Sequence, residues 1–290
     1  MKTESDEAKA PSSRFAPAKK AERGSFILTE RDELLLVDIF LHQVLDRGQL
    51  QELHFSSVQR CNMRLRKLFD QGYVARDFHP SSPYGSQAIY RIGPKAAAIL
   101  SRRLEADASY IRQLCRGTKR PEFLEHTLAI ADFYLAAKRA VKAVDTCEIE
   151  TWLPELSARH EYDVQTTTGA GWKKQVFKPD GFLRLKAIGS GRLAPYFVEV
   201  DRGNASAKVF TQKVDHYQQY RRSGIFSEMY GDKDFVTLVV TTGTKRLEHL
   251  KSVVEESGCA FFWFTTQKQI ETAGLLSAIW QAPSGLTSLV

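Results

Sequence analysis

The sequence predicts an α/β protein, α+β overall, in which a small helical domain precedes a larger domain with a mixed central sheet. Two observations favour this fold class, and a third concerns the binding partner. At 290 residues with 43% hydrophobic content, the chain is long enough for two domains. Apolar residues recur at helical spacing over residues 30–70, whereas helical patterns alternate with short apolar runs over residues 121–265. Basic residues are in excess over residues 26–120, which hold 15 Lys and Arg against 10 Asp and Glu.

The charge distribution narrows the choice of partner. The formal net charge is +7, but residues 121–290 are balanced, with 20 basic and 20 acidic side chains. A basic excess in one part of the chain favours a polyanion, and nucleic acid fits better than a membrane because no basic amphipathic anchor is evident. Four widely spaced cysteines indicate neither a zinc site nor a disulfide framework. Without an apolar stretch of about 18 residues or a secretory signal, we expect a cytoplasmic protein.

The N-terminal elements follow from local signals. Residues 1–25 predict a disordered tail, because they contain too few large apolar groups to offset the entropy of ordering. Thr29 with the acidic residues after it suits the start of a first helix over about 30–46. A short helix is expected over 49–54, and a third helix after Ser57. Its apolar side would consist of Val58, Cys61, Leu65, Leu68 and Phe69.

A hairpin and a closing helix complete the first domain. Two extended runs, 73–78 and 87–92, flank a loop rich in Pro, Ser and Gly, and Pro94 suits the first turn of a further helix. Three helices, a hairpin and a closing helix in this order are the parts of a winged helix-turn-helix. We therefore expect a winged-helix DNA-binding domain over residues 26–120.

The third helix carries polar and basic side chains opposite its apolar side. The outward set is Gln59, Arg60, Met63 and Lys67, flanked by Arg64 and Arg66. Arg and Gln side chains are suited to guanine and adenine edges in a major groove. Arg76 and Arg91 flank the hairpin and are further candidates for contacts with DNA. Duplex DNA is the favoured partner; the alternatives are a solvated basic surface or a winged helix that contacts protein.

The second domain is predicted over residues 121–270, with a C-terminal extension over 271–290. A long amphipathic helix comes first, and the following patterns give the order αβββαβαβ. The predicted strands cover 147–153, 174–177 continuing through 182–185, 195–201, 235–241 and 259–264, and the later helices cover 206–222 and 245–257.

Two carboxylates on neighbouring predicted strands form the main candidate site. Asp180 and Glu199 occupy those strands, and Lys213 and Tyr217 lie one turn apart on the next helix. Carboxylates beside a lysine are typical of a divalent-metal site for phosphodiester chemistry. Side chains alternate along a strand, so Asp201 should lie on the same face as Glu199.

Two interpretations of Asp201 are open. It completes a Mg²⁺ or Mn²⁺ site, or it forms an ion pair with Arg202 or Lys213 in a site without activity. In the first case the metal ligands are Asp180, Glu199 and Asp201, and the catalytic residues are these three with Lys213 and Tyr217.

The motifs of the second domain are Glu125-His126-Thr127-Leu128, Pro179-Asp180, Glu199-Val200-Asp201-Arg202-Gly203, and a helix with Lys213 and Tyr217. Their order resembles the PD-(D/E)XK nuclease fold. With the winged helix, residues 28–265 resemble the replication-relaxation family of plasmids and mobile elements. The resemblance implies a DNA-associated role in replication or mobilisation. In active nucleases of the wider fold the Asp and Glu bind Mg²⁺ and a lysine follows two residues after the Glu; Asp201 stands at that position here.

We therefore expect a DNA-binding accessory protein of a plasmid or mobile element that acts in replication, mobilisation or transcription control. One alternative is a Mg²⁺-dependent DNA endonuclease that uses Asp180, Glu199 and Lys213. Another is an adaptor that contacts replication or conjugation proteins. The sequence leaves open whether the second domain is an active deoxyribonuclease.

Overall fold

The structure is a computed structural model that describes residues 26–78, 88–114, 121–165 and 171–290. The chain divides into two compact units, residues 1–124 and 125–290. The predicted tail and the predicted wing loop lie outside the described residues. The expected fold class is confirmed, because the chain is a mixed α/β protein with a mixed central sheet of seven strands.

The first unit combines helices with a small antiparallel sheet. Its helices are α1 (Glu30–Leu41), α2 (Arg47–His54), α3 (Val58–Asp70), α4 (Ala97–Leu104) and α5 (Ala108–Leu114), with a 3₁₀ turn at Pro94–Ala96. Its strands are β1 (Leu45–Asp46), β2 (Val74–Phe78) and β3 (Ala88–Ile92), in the order β1-β3-β2. Three helices, a hairpin and a further helix therefore follow one another in the predicted order.

Helix α1 begins where the sequence predicts but ends earlier. Thr29 and Asp32 exchange side-chain and backbone hydrogen bonds in a capping box. Gln43 has a φ of 65°, a left-handed conformation that does not continue a right-handed helix. The prediction of a helix to residue 46 is therefore wrong in its last turn, where β1 pairs with β3 instead.

Helix α3 packs one side into the core of the first unit. Cys61, Leu65 and Leu68 have no exposed surface. Val58, which the sequence assigns to the same apolar side, is the first residue of the helix and is 46% exposed. The buried side of α3 therefore begins at Cys61, one turn later than predicted.

A buried ion pair fastens α3 to the start of α1. Asp32 has no exposed surface, and its carboxylate accepts hydrogen bonds from the guanidinium of Arg64, one of them at 2.7 Å. Arg64 also donates to the carbonyl of Ile27 at 2.8 Å and lies over the Phe26 ring. Burial alone raises the pKa of Asp32, but the bonds from Arg64 and Thr29 outweigh it and lower that pKa.

The second unit is built on a larger sheet. Most of helix α6 (Pro121–Lys142) belongs to this unit, and the remaining helices are α7 (Glu155–Ala158), α8 (Ala207–Ser223), α9 (Ile225–Tyr230), α10 (Thr244–Glu256) and α11 (Gln267–Ala273). The strands are β4 (Cys147–Pro154), β5 (His160–Gln165), β6 (Trp172–Phe177), β7 (Gly181–Ala187), β8 (Leu193–Asp201), β9 (Val236–Thr241), β10 (Phe262–Thr266), β11 (Trp280–Ala282) and β12 (Gly285–Thr287). The central sheet has the order β12-β11-β10-β9-β8-β7-β4, in which β8, β9 and β10 are parallel.

Helices cover both faces of the central sheet. Phe197 on β8 packs with side chains of α8 and α10, whereas its neighbour Val198 packs with side chains of α6 and α11. Because side chains alternate along a strand, Glu199 and Asp201 emerge on the same face as Phe197. This alternation directs both carboxylates towards the α8 side of the sheet.

Two features of the second unit depart from the predicted strand pattern. The run predicted as one strand from Lys174 to Leu185 forms two strands, since β6 pairs with β5 in a separate hairpin and β7 pairs with β4 and β8. Pro179 lies between them and has no N–H to donate to a ladder. Residues 271–290 contain β11 and β12, which extend the central sheet, and Trp280 has no exposed surface.

Helix α6 spans 22 residues and is amphipathic. Its residues Phe133 and Ala137 are buried in the core, whereas its residues Asp132 and Lys138 are exposed. Within the described ranges, no helix has both the length and the apolar character required to cross a membrane.

Replacing Arg64 should destabilise the protein. Arg64→Met leaves the buried carboxylate of Asp32 without its cation, at a cost of about 3 kcal/mol at pH 7. Since the fold lowers the pKa of Asp32, this stabilisation is present above the unfolded pKa of about 4 and is lost as the pH falls below it. Thermal midpoints should therefore differ most at neutral pH. Arg60→Met, on the exposed side of the same helix, is the matched control, and an equal midpoint for both variants at pH 7 would contradict this role.

Candidate functional site

Asp180 lies just before β7 and is held against β8. Its backbone N–H donates to the carbonyl of Val198 at 3.1 Å, and its Oδ2 accepts from the backbone N–H of Val200 at 2.8 Å. Gly181 follows, and a Cβ at this position would lie 2.6 Å from the Trp152 ring. The close approach of Trp152 thus favours glycine after Asp180, and the backbone contacts fix a buried carboxylate beside β8.

Glu199 is 2% exposed and meets two side chains of α8. The Lys213 ammonium donates to Oε2 of Glu199, and the Tyr217 hydroxyl donates to Oε1 at 2.6 Å. Lys213 and Tyr217 are four residues apart, so they lie on one side of the helix. The pairing of β7 with β8 begins at Gly181 and places Asp180 beside Glu199. Four of the five predicted catalytic residues therefore lie together: Asp180, Glu199, Lys213 and Tyr217.

His126 joins this group from the first turns of α6. Its Nε2 lies 3.1 Å from Oδ1 of Asp180, and its side chain is 29% exposed. Burial lowers the pKa of His126, but the hydrogen bond to Asp180 and the charges of Asp180, Glu155 and Glu199 together outweigh burial and raise that pKa. His126 is not among the site residues predicted from the sequence, and its place in the Glu125–Leu128 motif is the signal that could have linked it to the site. We call Asp180, Glu199, Lys213, Tyr217 and His126 the acid cluster.

The charges of the acid cluster compensate one another. Burial raises the pKa of Asp180, but Lys213, His126 and the Val200 N–H together outweigh it and lower that pKa. Burial and the charge of Asp180 raise the pKa of Glu199 to about 7. Burial lowers the pKa of Lys213, but both carboxylates outweigh it and raise that pKa above its ordinary value. A charged Lys213 thus lies beside one ionised carboxylate and a second that gains its proton readily.

Asp201 makes its hydrogen bonds outside the acid cluster. Its two oxygens accept from Nε and a terminal nitrogen of Arg246 at 2.7 and 2.8 Å, and Arg246 also donates to the carbonyl of Ala205 at 2.7 Å. Asp201 therefore forms an ion pair, as one of the two interpretations expects, but the prediction of Arg202 or Lys213 as its partner is wrong. The two residues are 45 positions apart, and no local pattern in the sequence connects them.

The rest of the motif at the end of β8 fastens the following loop. Arg202 donates to Glu125 on α6 at 2.6 Å. Gly203 has a φ of 83° and donates its backbone N–H to Asp201 at 3.1 Å. Of the motif over residues 199–203, Glu199 thus belongs to the acid cluster. The last three residues of the motif hold the following loop in place.

The acid cluster as arranged does not fit the Mg²⁺ or Mn²⁺ ion that the wider nuclease fold implies. All four carboxylate oxygens of Asp180 and Glu199 already accept hydrogen bonds. The ammonium of Lys213 occupies a position on Glu199 that a cation would need. Throughout the part of the chain that the structure describes, no group of three or more His, Cys, Asp or Glu side chains is arranged to hold a metal ion.

The candidate DNA-binding residues of α3 fall into two groups. The exposed group is Gln59, Arg60, Met63 and Lys67. Arg64 turns inward to Asp32, and Arg66 pairs with Asp70 one turn later at 2.9 Å. Only the first group keeps the outward position that the helical spacing predicts for all of them.

The two arginines of the hairpin also contact their own unit. The Arg76 guanidinium lies 4.5 Å from the centroid of the Phe69 ring, and Arg91 donates to Asp77 on the neighbouring strand at 2.6 Å. Arg76 therefore packs the hairpin against α3, and Arg91 links the two strands of the hairpin.

Two tyrosines of α8 offer a matched test of the acid cluster. Tyr217→Phe should destabilise the protein by about 1 to 3 kcal/mol, because it leaves a buried oxygen of Glu199 without its donor. Tyr220 is equally buried, but its hydroxyl has no hydrogen-bond partner among the described residues, so Tyr220→Phe should be neutral or stabilising. Chemical denaturation of both variants measures the difference; equal losses would contradict a structural bond from Tyr217 to Glu199.

Comparison with known proteins concerns both α3 and the acid cluster. Among curated proteins, no match is found. A family model described as Replication-relaxation matches residues 36–236. The match covers more than half of the chain and contains α3 and every residue of the acid cluster. It confirms the resemblance drawn from the motifs, and it suggests a role in replication or in the biology of mobile elements. The chain belongs to the replication-relaxation family.

Proposed function

We propose that this protein binds duplex DNA through α3, as an accessory factor in the replication, mobilisation or transcription control of a plasmid or mobile element. The outward side of α3 carries the proposal. Arg60 and Lys67 are exposed there, and neither side chain has a hydrogen-bond or ion-pair partner within the described part of the chain. Two unpaired cations on the exposed side of a helix are suited to phosphate groups, and an α-helix fits a major groove.

The contrast with neighbouring arginines supports this assignment. Arg64, Arg66 and Arg91 are each paired with a carboxylate of the same unit. Their charges are largely neutralised within the fold, so they contribute little to attraction at a distance. The side chains of Arg60 and Lys67 keep their full charge for an external partner.

For the second unit, we infer that the acid cluster stabilises the fold rather than cleaving DNA. Its two carboxylates accept hydrogen bonds from Lys213, Tyr217, His126 and the backbone. A buried cluster with every acceptor occupied is stable as it stands, and opening it would leave buried charges without partners.

A metal-dependent deoxyribonuclease is the second candidate, and one observation favours it. Asp180, Glu199 and Lys213 lie together although they come from different elements, and α8 supplies the lysine that is missing from position 201. Activity would require Lys213 to leave Glu199, and this requirement makes the second candidate the weaker one.

The first test is DNA affinity. Replacing both Arg60 and Lys67 by Ala should weaken binding of the full chain to duplex DNA, by about 1 to 3 kcal/mol if Arg60 contacts a base. The slope of log affinity against log salt concentration should also become shallower, by the amount that corresponds to about two phosphate contacts. The control replaces Lys95 and Arg112, two exposed cations of the same unit outside α3, by Ala. Fluorescence anisotropy over a range of salt concentrations measures both effects.

Equal affinity of the α3 double variant and the native protein would contradict the proposal. An adaptor that binds protein would instead bind duplex DNA weakly and with little dependence on salt, because few phosphate counterions would be released.

The second test separates the two candidates for the acid cluster. We expect supercoiled plasmid to stay intact with Mg²⁺ or Mn²⁺, and the thermal midpoint of the protein to stay unchanged by either ion. Cleavage by the native protein that is lost in both Asp180→Ala and Glu199→Ala would establish the nuclease instead. Lys208→Ala, an exposed lysine at the start of the same helix as Lys213, is the control for a general charge effect.

A further inference from the structure

One apolar side chain stands in the middle of the outward side of α3. Met63 is 62% exposed, although methionine is among the residue types most often buried. Gln59 precedes it by one turn and Lys67 follows it by one turn, so the three side chains form a row along the helix. A long apolar side chain between an amide and an ammonium gains nothing from water and is suited to an apolar group on a polar partner.

We propose that Met63 reads thymine, through contact with the 5-methyl group in the major groove. The inference rests on the proposed function, in which α3 is the helix that binds duplex DNA. The thymine methyl is the apolar group that unmodified bases present in that groove, and the other base-edge groups there are hydrogen-bond donors and acceptors. The thioether side chain is flexible and polarisable, so it adapts to a small methyl surface.

The row along α3 also predicts the spacing of the bases. Four residues of helix rise separate Gln59 from Met63 by about 6 Å. Base pairs follow each other at about 3.4 Å, so this distance corresponds to about two base-pair steps when the helix follows the groove. Gln59 is suited to adenine. The favoured target therefore contains an adenine and a thymine about two steps apart.

A protein partner for Met63 is the less favoured occupant. Protein interfaces have a contiguous apolar centre, whereas Met63 is flanked by Gln59, Arg60 and Lys67. The exposed Val58 does not extend the patch, since five residues at 100° each place it about 140° around the helix from Met63.

The test uses the full chain and a random pool of duplex DNA at about 150 mM salt. Duplexes that bind are selected and sequenced, and the enriched duplex is then synthesised with uracil in place of each thymine in turn. Uracil lacks only the methyl group. At one position the native protein should bind the uracil form about fourfold more weakly, the factor that corresponds to burial of one methyl group.

Variants assign this loss to Met63. Met63→Ala should bind the thymine and uracil forms equally, and Met63→Leu should keep a preference for thymine. Met229→Ala is the matched control, because Met229 is a similarly exposed methionine, 50% exposed, on α9 of the second unit. It should behave like the native protein.

Four results would overturn the inference. If no sequence is enriched, or if the native protein binds thymine and uracil forms equally at every position, α3 does not read a methyl group. If the loss persists in Met63→Ala, another residue reads it. In these cases DNA affinity that still depends on Arg60 and Lys67 leaves the proposed function intact. Absence of any duplex binding at low salt would reject the proposed function itself, and the inference with it.

Discussion

Burial of Asp180 and Glu199 side by side is the constraint on which the second unit depends. Two buried carboxylates next to each other repel each other and lose their hydration, so the fold has to supply positive charge and hydrogen-bond donors. Helix α8 supplies an ammonium and a hydroxyl, α6 supplies an imidazole, and β8 supplies a backbone N–H. The cluster thereby ties the sheet to helices on both of its faces. A nuclease would have to open these contacts, whereas a structural centre needs them closed.

The first unit uses charge in two different ways. The ion pair between Asp32 and Arg64 is buried and joins α1 to α3, and its contribution to stability depends on the exclusion of water. Arg60 and Lys67 lie on the other side of α3, where charge is available to a phosphate backbone. The same helix thus holds the unit together on one side and presents a polar surface on the other. This division explains why a count of basic residues alone overestimates the number of cations that are free to bind an external partner.

The sequence predicts local structure better than it predicts partners. Hydrophobic periodicity located α3, α8 and β8 to within a few residues, and alternation placed Glu199 and Asp201 on one face. Partners across the fold had no such signal: Arg246 and His126 come from distant helices, and the inward turn of Arg64 depends on a carboxylate 32 residues away. Strand pairing was similarly hidden, since β6 and β7 are adjacent in sequence but belong to different sheets.

The most direct test of DNA binding through α3 is hydroxyl-radical footprinting of the full chain with and without duplex DNA, read by mass spectrometry. Met63, Met229 and Trp172 are exposed by 62%, 50% and 72%, so all three should oxidise readily in the free protein. Binding through α3 should protect Met63 from oxidation and leave the oxidation of Met229 and Trp172 unchanged. Protection of Met229 or Trp172 with unchanged oxidation of Met63 would contradict it, because DNA would then contact the second unit and not α3.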